Sequence, residues 1–74
     1  MKYPVGTKFM SGGKHPRLCT VTDFLTTTNL KGEVVSTRYV ATHRFMGQTI
    51  VDANVNDVAI AKGLDAAKEF LKNA

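Results

Sequence analysis

Apolar residues recur at alternate positions over most of this chain, the spacing of strands with one buried face. Val5 and Phe9 share a parity within Tyr3 to Met10, which reads as a short first strand entered through Pro4. Ser11 to Arg17 follows as an irregular basic loop with two glycines and a proline. A second strand runs from about Leu18 to Thr27, with Cys19, Val21 and Leu25 on one face and Asp23 interrupting it. The third runs from about Glu33 to His43, where Val35, Tyr39 and Ala41 compete with Val34 and Val40 for the inward face, and a one-residue bulge is a device that swaps it. Asn29-Leu30-Lys31-Gly32 joins these two strands, placing a residue that tolerates positive φ at the reversal. Phe45-Met46-Gly47 forms a bend before a fourth strand, Gln48 to Asp52.

The period then changes. Val55 to Gly63 reads as a helical turn capped by Asn56 and followed by a closing fifth strand, with a helix ended by Gly63 as the competing reading. Leu64 to Ala74 places Leu64, Ala67, Phe70 and Leu71 on one stripe, a short helix with Asp65 at its N-cap. The expected fold is therefore mainly β: a five-stranded unit over residues 1-63, with a C-terminal α-helix over 64-74 docked on it or appended to it. A helix this short needs to bury its stripe to persist in water.

A chain of 74 residues allows one domain with a small core, a size at which self-association to a homo-oligomer is a recurrent solution. An apolar fraction of 43% and a charged fraction of 22% belong to a folded protein and not to a disordered one. Cys19 is the single cysteine, so no internal disulfide staples the domain, and the cytoplasm is the expected compartment. No continuous apolar stretch suits a signal peptide or a membrane span, so no membrane partner is expected. Charge is uneven: residues 1 to 50 carry seven basic and two acidic side chains, a balance of +5, whereas residues 51 to 74 carry three and four, a balance of −1.

Gly6-Thr7-Lys8-Phe9, Leu18 to Asp23, Asn29 to Glu33, Tyr39 to His43 and Val55 to Ile60 together resemble a small SH3-like β-barrel of five strands. The segment RYVATHRFMGQ, with its neighbours, is also similar to short uncharacterised proteins encoded by bacteriophages and prophages. The resemblance covers roughly residues 5 to 64 and implies a mobile-element origin, within a host cell's cytoplasm, but no activity. The type II dihydrofolate reductases are similar small barrels that use a Val-Gln-Ile-Tyr stretch. Here Gly47-Gln48-Thr49-Ile50-Val51-Asp52 has valine where the tyrosine would stand, and a comparable lysine and serine arrangement is missing, so the likeness is one of fold and not of chemistry.

Residue chemistry points to binding before catalysis. Lys14, Arg17, Lys31, Arg38 and Arg44 are candidates to neutralise phosphates of RNA or DNA, with Tyr39 or Phe45 as a ring on which a base stacks. The alternative is a protein-interaction module that meets a host or phage protein through the hairpin edge and Tyr39, Phe45 and Met46. Ser11-Gly12-Gly13-Lys14 is not a Walker A loop, since Lys8 stands at its first glycine position and His15 at its Ser/Thr position; a backbone nest for an anion and a plain flexible turn both remain open there. Cys19, His15 and His43 lack the paired spacing of a zinc site, and a cysteine on an inward strand face is inert as a nucleophile. Asp23 is expected to play a structural part, at a bulge or paired with Arg38 or a loop N–H, because no second carboxylate is spaced to share acid–base work with it. A non-enzymatic binding module without a cofactor is the resulting expectation.

Overall fold

The structure is a computed structural model that describes residues 2–73. Met1 and Ala74, the outer limits of the two expected units, lie outside the described residues. Among the described residues four strands, β1 (Lys8–Met10), β2 (Leu18–Thr28), β3 (Val34–Phe45) and β4 (Gln48–Val55), precede one helix, α1 (Asp57–Lys72). They form an antiparallel sheet in the order β1-β2-β3-β4. The sheet is open, and the five-stranded barrel of the sequence reading is replaced by four strands and a longer helix.

The reason lies between Asn54 and Gly63. Instead of a turn and a closing strand, this segment begins the helix, so α1 runs across the expected boundary at residues 63 and 64. Asn56 is its N-cap: extended at φ −98° and ψ 167°, it accepts a hydrogen bond from the Ala59 N–H at 2.8 Å. Asp57 in the first turn and Lys72 in the last suit the helix dipole. Asp65, expected at an N-cap, lies inside the helix.

Gly63 does not end α1 but sits in its buried face with Ile60 and Ala67, and the partly buried Leu64 completes an i, i+3, i+4, i+7 stripe. A Cβ at Gly63 would collide with the backbone of Met10, coming within 2.7 Å of its N and nearer still to its O. The missing side chain lets α1 lie directly on β1. Phe70 and Leu71 extend the stripe in sequence but are 49% and 47% exposed, so the docking face is Ile60, Gly63 and Ala67 with Leu64, and not the expected Leu64, Phe70 and Leu71.

Under this helix the inner face of the sheet supplies Phe9, Cys19, Val21, Tyr39, Ala41 and Val55, with Tyr3 and Phe24 packed against them. In β3 the odd positions Tyr39 and Ala41 face inward. β2 changes parity: Val21 pairs with Ala41 but Asp23 pairs with Val40, so Thr22 is an extra residue and the inward place passes to Phe24, while Leu25 stays exposed. Asp23, exposed at this bulge, accepts the Phe24 N–H at 2.8 Å, which is the structural part expected of it.

Both hairpin turns follow from their residues. Asn29 Oδ1 accepts the N–H groups of Lys31 and Glu33, and Gly32 takes the positive φ, +83°, expected for it. Between Phe45 and Gln48, Met46 and Gly47 both have positive φ, 51° and 78°, the signature of a two-residue type I′ turn. Met46 is a poor occupant because its Cβ crowds the left-handed backbone, and the side chain is largely exposed.

Two measurements follow. Gly63→Ala should lower the unfolding free energy by about 1–3 kcal/mol in urea titration, although alanine inside a helix is otherwise worth about 1 kcal/mol more than glycine; unchanged or raised stability would mean that α1 does not rest on Met10. Met46→Asn should raise stability by about 0.5–1 kcal/mol, read as a higher urea midpoint at unchanged slope.

Candidate polyanion-binding face

Cross-strand register assigns the exposed side chains to faces. Lys8 pairs with Thr20, Thr20 with Thr42 and Thr42 with Val51, so this row lies on the outer face, opposite the core; Arg44 and Thr49 form a neighbouring outer pair. Lys8 Nζ donates to Thr20 Oγ1 at 2.8 Å. The Arg44 guanidinium donates to Thr49 Oγ1 and to the Gly47 carbonyl, both at 3.1 Å, so it is held over the strand end.

Arg17 arrives from the loop. Its N–H donates to Ser11 Oγ at 2.8 Å while its carbonyl accepts the Ser11 N–H at 2.9 Å, a reciprocal pair that closes the intervening glycine-rich loop. Its guanidinium lies 4.1 Å from the centre of the Phe45 ring, a cation–π contact. Arg17, Thr20, Thr42, Arg44, Thr49 and Phe70 are among the residues around a cleft of about 550 Å³, and none of its lining residues is a carboxylate. Lys14 is exposed on the same loop.

Of the residues singled out from sequence, the structure thus brings Arg17 and Arg44 to one cleft and leaves Lys14 on the adjoining loop. Lys31 occupies the turn at the far end of the β2–β3 hairpin, and Arg38 lies along that hairpin opposite Leu25. Asp23 and Glu33 stand on the same arm, so its formal charges cancel. Tyr39 is corrected: it is 3% exposed, its ring packs on Phe24 and Tyr3, and its hydroxyl accepts the Lys2 and Tyr3 N–H groups. No base can stack on it. Lys8 was missed, although its even position in β1, opposite the parity of Phe9, already placed it on the outer face.

A second cleft, of about 560 Å³, opens between the inner face and α1, lined in part by Cys19, His43, Asp52 and Lys62. Burial pushes the Cys19 thiol above its ordinary pKa; hydrogen bonding from Ser11 pulls it down, and the Asp52 carboxylate adds to the rise. The sulfur is therefore a neutral thiol near pH 7, 3.5 Å from the Arg17 carbonyl, and not an activated nucleophile. Among the described residues no three His, Cys, Asp or Glu side chains group to hold a metal ion, and no helix is long and apolar enough to cross a membrane.

No family model matches this chain, and no curated protein and no solved structure matches it either.

Because the folded thiol titrates above its unfolded value of 9.0, its contribution to stability is complete below that pH and lost as pH rises through the folded pKa. Between pH 8 and about 10.5 the melting temperature should fall more steeply for the native chain than for Cys19→Ala; identical slopes would mean that the thiol is not desolvated.

Proposed function

We propose that this protein is a non-enzymatic binding module that holds the phosphate backbone of RNA or DNA on the outer face of its sheet. The observation that carries the reading is the placement of Lys8 and Arg44, from two strands, on one hydroxyl-bearing face, together with a cleft lined by Arg17 and Arg44 that has no carboxylate in its lining. Cations spaced over a strand surface suit a row of phosphates, and the Thr20, Thr42 and Thr49 hydroxyls supply neutral donors between them. Tyr39 is buried and Phe45 already carries Arg17, so contact is with the backbone and tolerant of base sequence.

The distal β2–β3 arm favours a second, protein-binding use of the molecule. Leu25, Leu30, Val34 and Val35 are exposed there, and the charge balance that makes the arm poor for phosphates removes a barrier to an extended peptide segment along its edge.

Fluorescence anisotropy with a labelled single strand tests the first reading. Affinity should fall steeply from roughly 50 to 200 mM salt, and Lys8→Ala and Arg44→Ala should each shallow the log–log slope by about one unit. Arg38→Ala should leave the slope nearly unchanged. Absence of binding at low salt defeats the proposal, and an equal effect of Arg38→Ala moves the site to the arm.

A further inference from the structure

The two edges of the sheet differ in kind. β1 is three residues long, α1 lies on it, and Gly6 and Thr7 continue its hydrogen bonding to Val21. β4 has β3 on one side and, among the described residues, no strand on the other. Its sequence, Gln48-Thr49-Ile50-Val51-Asp52-Ala53-Asn54-Val55, lacks the lysine and proline that commonly blunt a free edge. A bulge against β3 falls between the pairs Tyr39–Val55 and Ala41–Asp52, which leaves Gln48 to Asp52 as the regular stretch. Ile50 is 37% exposed and Val51 61%, one on each face.

We propose that two copies of this chain pair antiparallel along β4, about a two-fold axis at Ile50, into one continuous sheet of four strands from each copy. Three features of the edge select a second copy as the occupant. An antiparallel two-fold that keeps inner faces together must oppose residues of equal parity. Centred on Ile50, it sets Ile50 against Ile50, Thr49 against Val51 and Gln48 against Asp52; centred on Val51, it would set Asp52 against Ile50. The first register matches apolar with apolar and gives each carboxylate an amide donor, so the edge is complementary to itself.

Charge selects the same edge. A molecule of net charge +4 repels its copy, yet β4 carries no cation and only Asp52, while β1 and β3 carry Lys8, Arg38 and Arg44. Of the basic groups on the outer face, Arg44 lies beside this edge with its guanidinium on Thr49, while Lys8 stands on the opposite edge strand. A pairing of five residues from each copy is small beside a standard interface, so association is reversible and weak. It stands independently of polyanion binding.

Sedimentation equilibrium of the full chain, up to roughly 1 mM, should show exchange between 8.1 kDa and twice that mass. Ile50→Lys sets two ammonium groups face to face on the axis and should weaken association at least about tenfold, with an unchanged circular-dichroism spectrum establishing that it folds. Ile50→Cys in a Cys19→Ser background should oxidise to a covalent dimer, since directly opposed residues lie within disulfide reach, whereas Val58→Cys on α1 in the same background should not. A wild-type chain that stays monomeric throughout overturns the proposal. So does association that Ile50→Lys leaves intact, or equal cross-linking through Val58→Cys.

Discussion

The backbone contact between α1 and β1 at Gly63 and Met10 is the constraint on which the rest of the molecule depends. A strand of three residues makes few ladder hydrogen bonds, and a helix of sixteen with a narrow buried stripe gains little by itself. Laid together at backbone distance, they close the core over Phe9, Cys19 and Val21 and bring Ile60 to full burial. That placement also commits the helix to one side of the sheet, so the β3–β4 side stays only partly covered, with a cleft along it and, among the described residues, no strand beyond β4.

Bulges decide which residues the core receives. The extra residue at Thr22 passes the inward place from the odd positions of β2 to Phe24, whose ring then packs tilted against Tyr39 with the two centres 4.9 Å apart. Asp23, displaced to the exposed surface, accepts the Phe24 N–H at the point where the ladder is broken. Removal of a carboxylate from the inner face and insertion of an aromatic are the same event. Beyond it the β2–β3 ribbon extends past both neighbouring strands, which gives the molecule its long axis of 48 Å against 25 and 21 Å.

The candidate phosphate face is built from residues that owe their neighbourhood to pairing and not to sequence distance. Lys8 and Arg44 are brought to one surface because β2 lies between β1 and β3, and the outward parity of all three strands is locked by apolar partners on the other side. Arg17 lines the same cleft as Arg44, its loop closed by Ser11 and its guanidinium held on Phe45, a residue of the inward parity. The cleft lined by Arg17 and Arg44 holds no carboxylate, whereas Lys31 and Arg38 share their arm with Glu33 and Asp23. Local balance, more than total charge, distinguishes the two ends.

Much was legible in sequence where a local rule acts alone. Alternating apolar residues marked the strands and the inward members Phe9, Cys19 and Val21 of the first two, while leaving the third open between Tyr39 with Ala41 and Val34 with Val40, and the turn chemistry of Asn29 to Gly32 and of Met46-Gly47 placed the two tight reversals, because side-chain parity and positive φ are properties of a few adjacent residues. Tertiary structure alone decided the rest. Gly63 reads locally as a helix terminator, and only the nearness of Met10, more than fifty residues away in the chain, turns it into the centre of a packed helix and removes the fifth strand. Tyr39 was legible both as a core residue and as a stacking ring, and its burial against the chain's N-terminal segment settled which. The placement of Lys8 with Arg44 on one face, and the lack of a strand beyond β4 among the described residues, likewise depend on which strands become neighbours, a choice made by the summed burial of the whole chain and carried by no single segment of it.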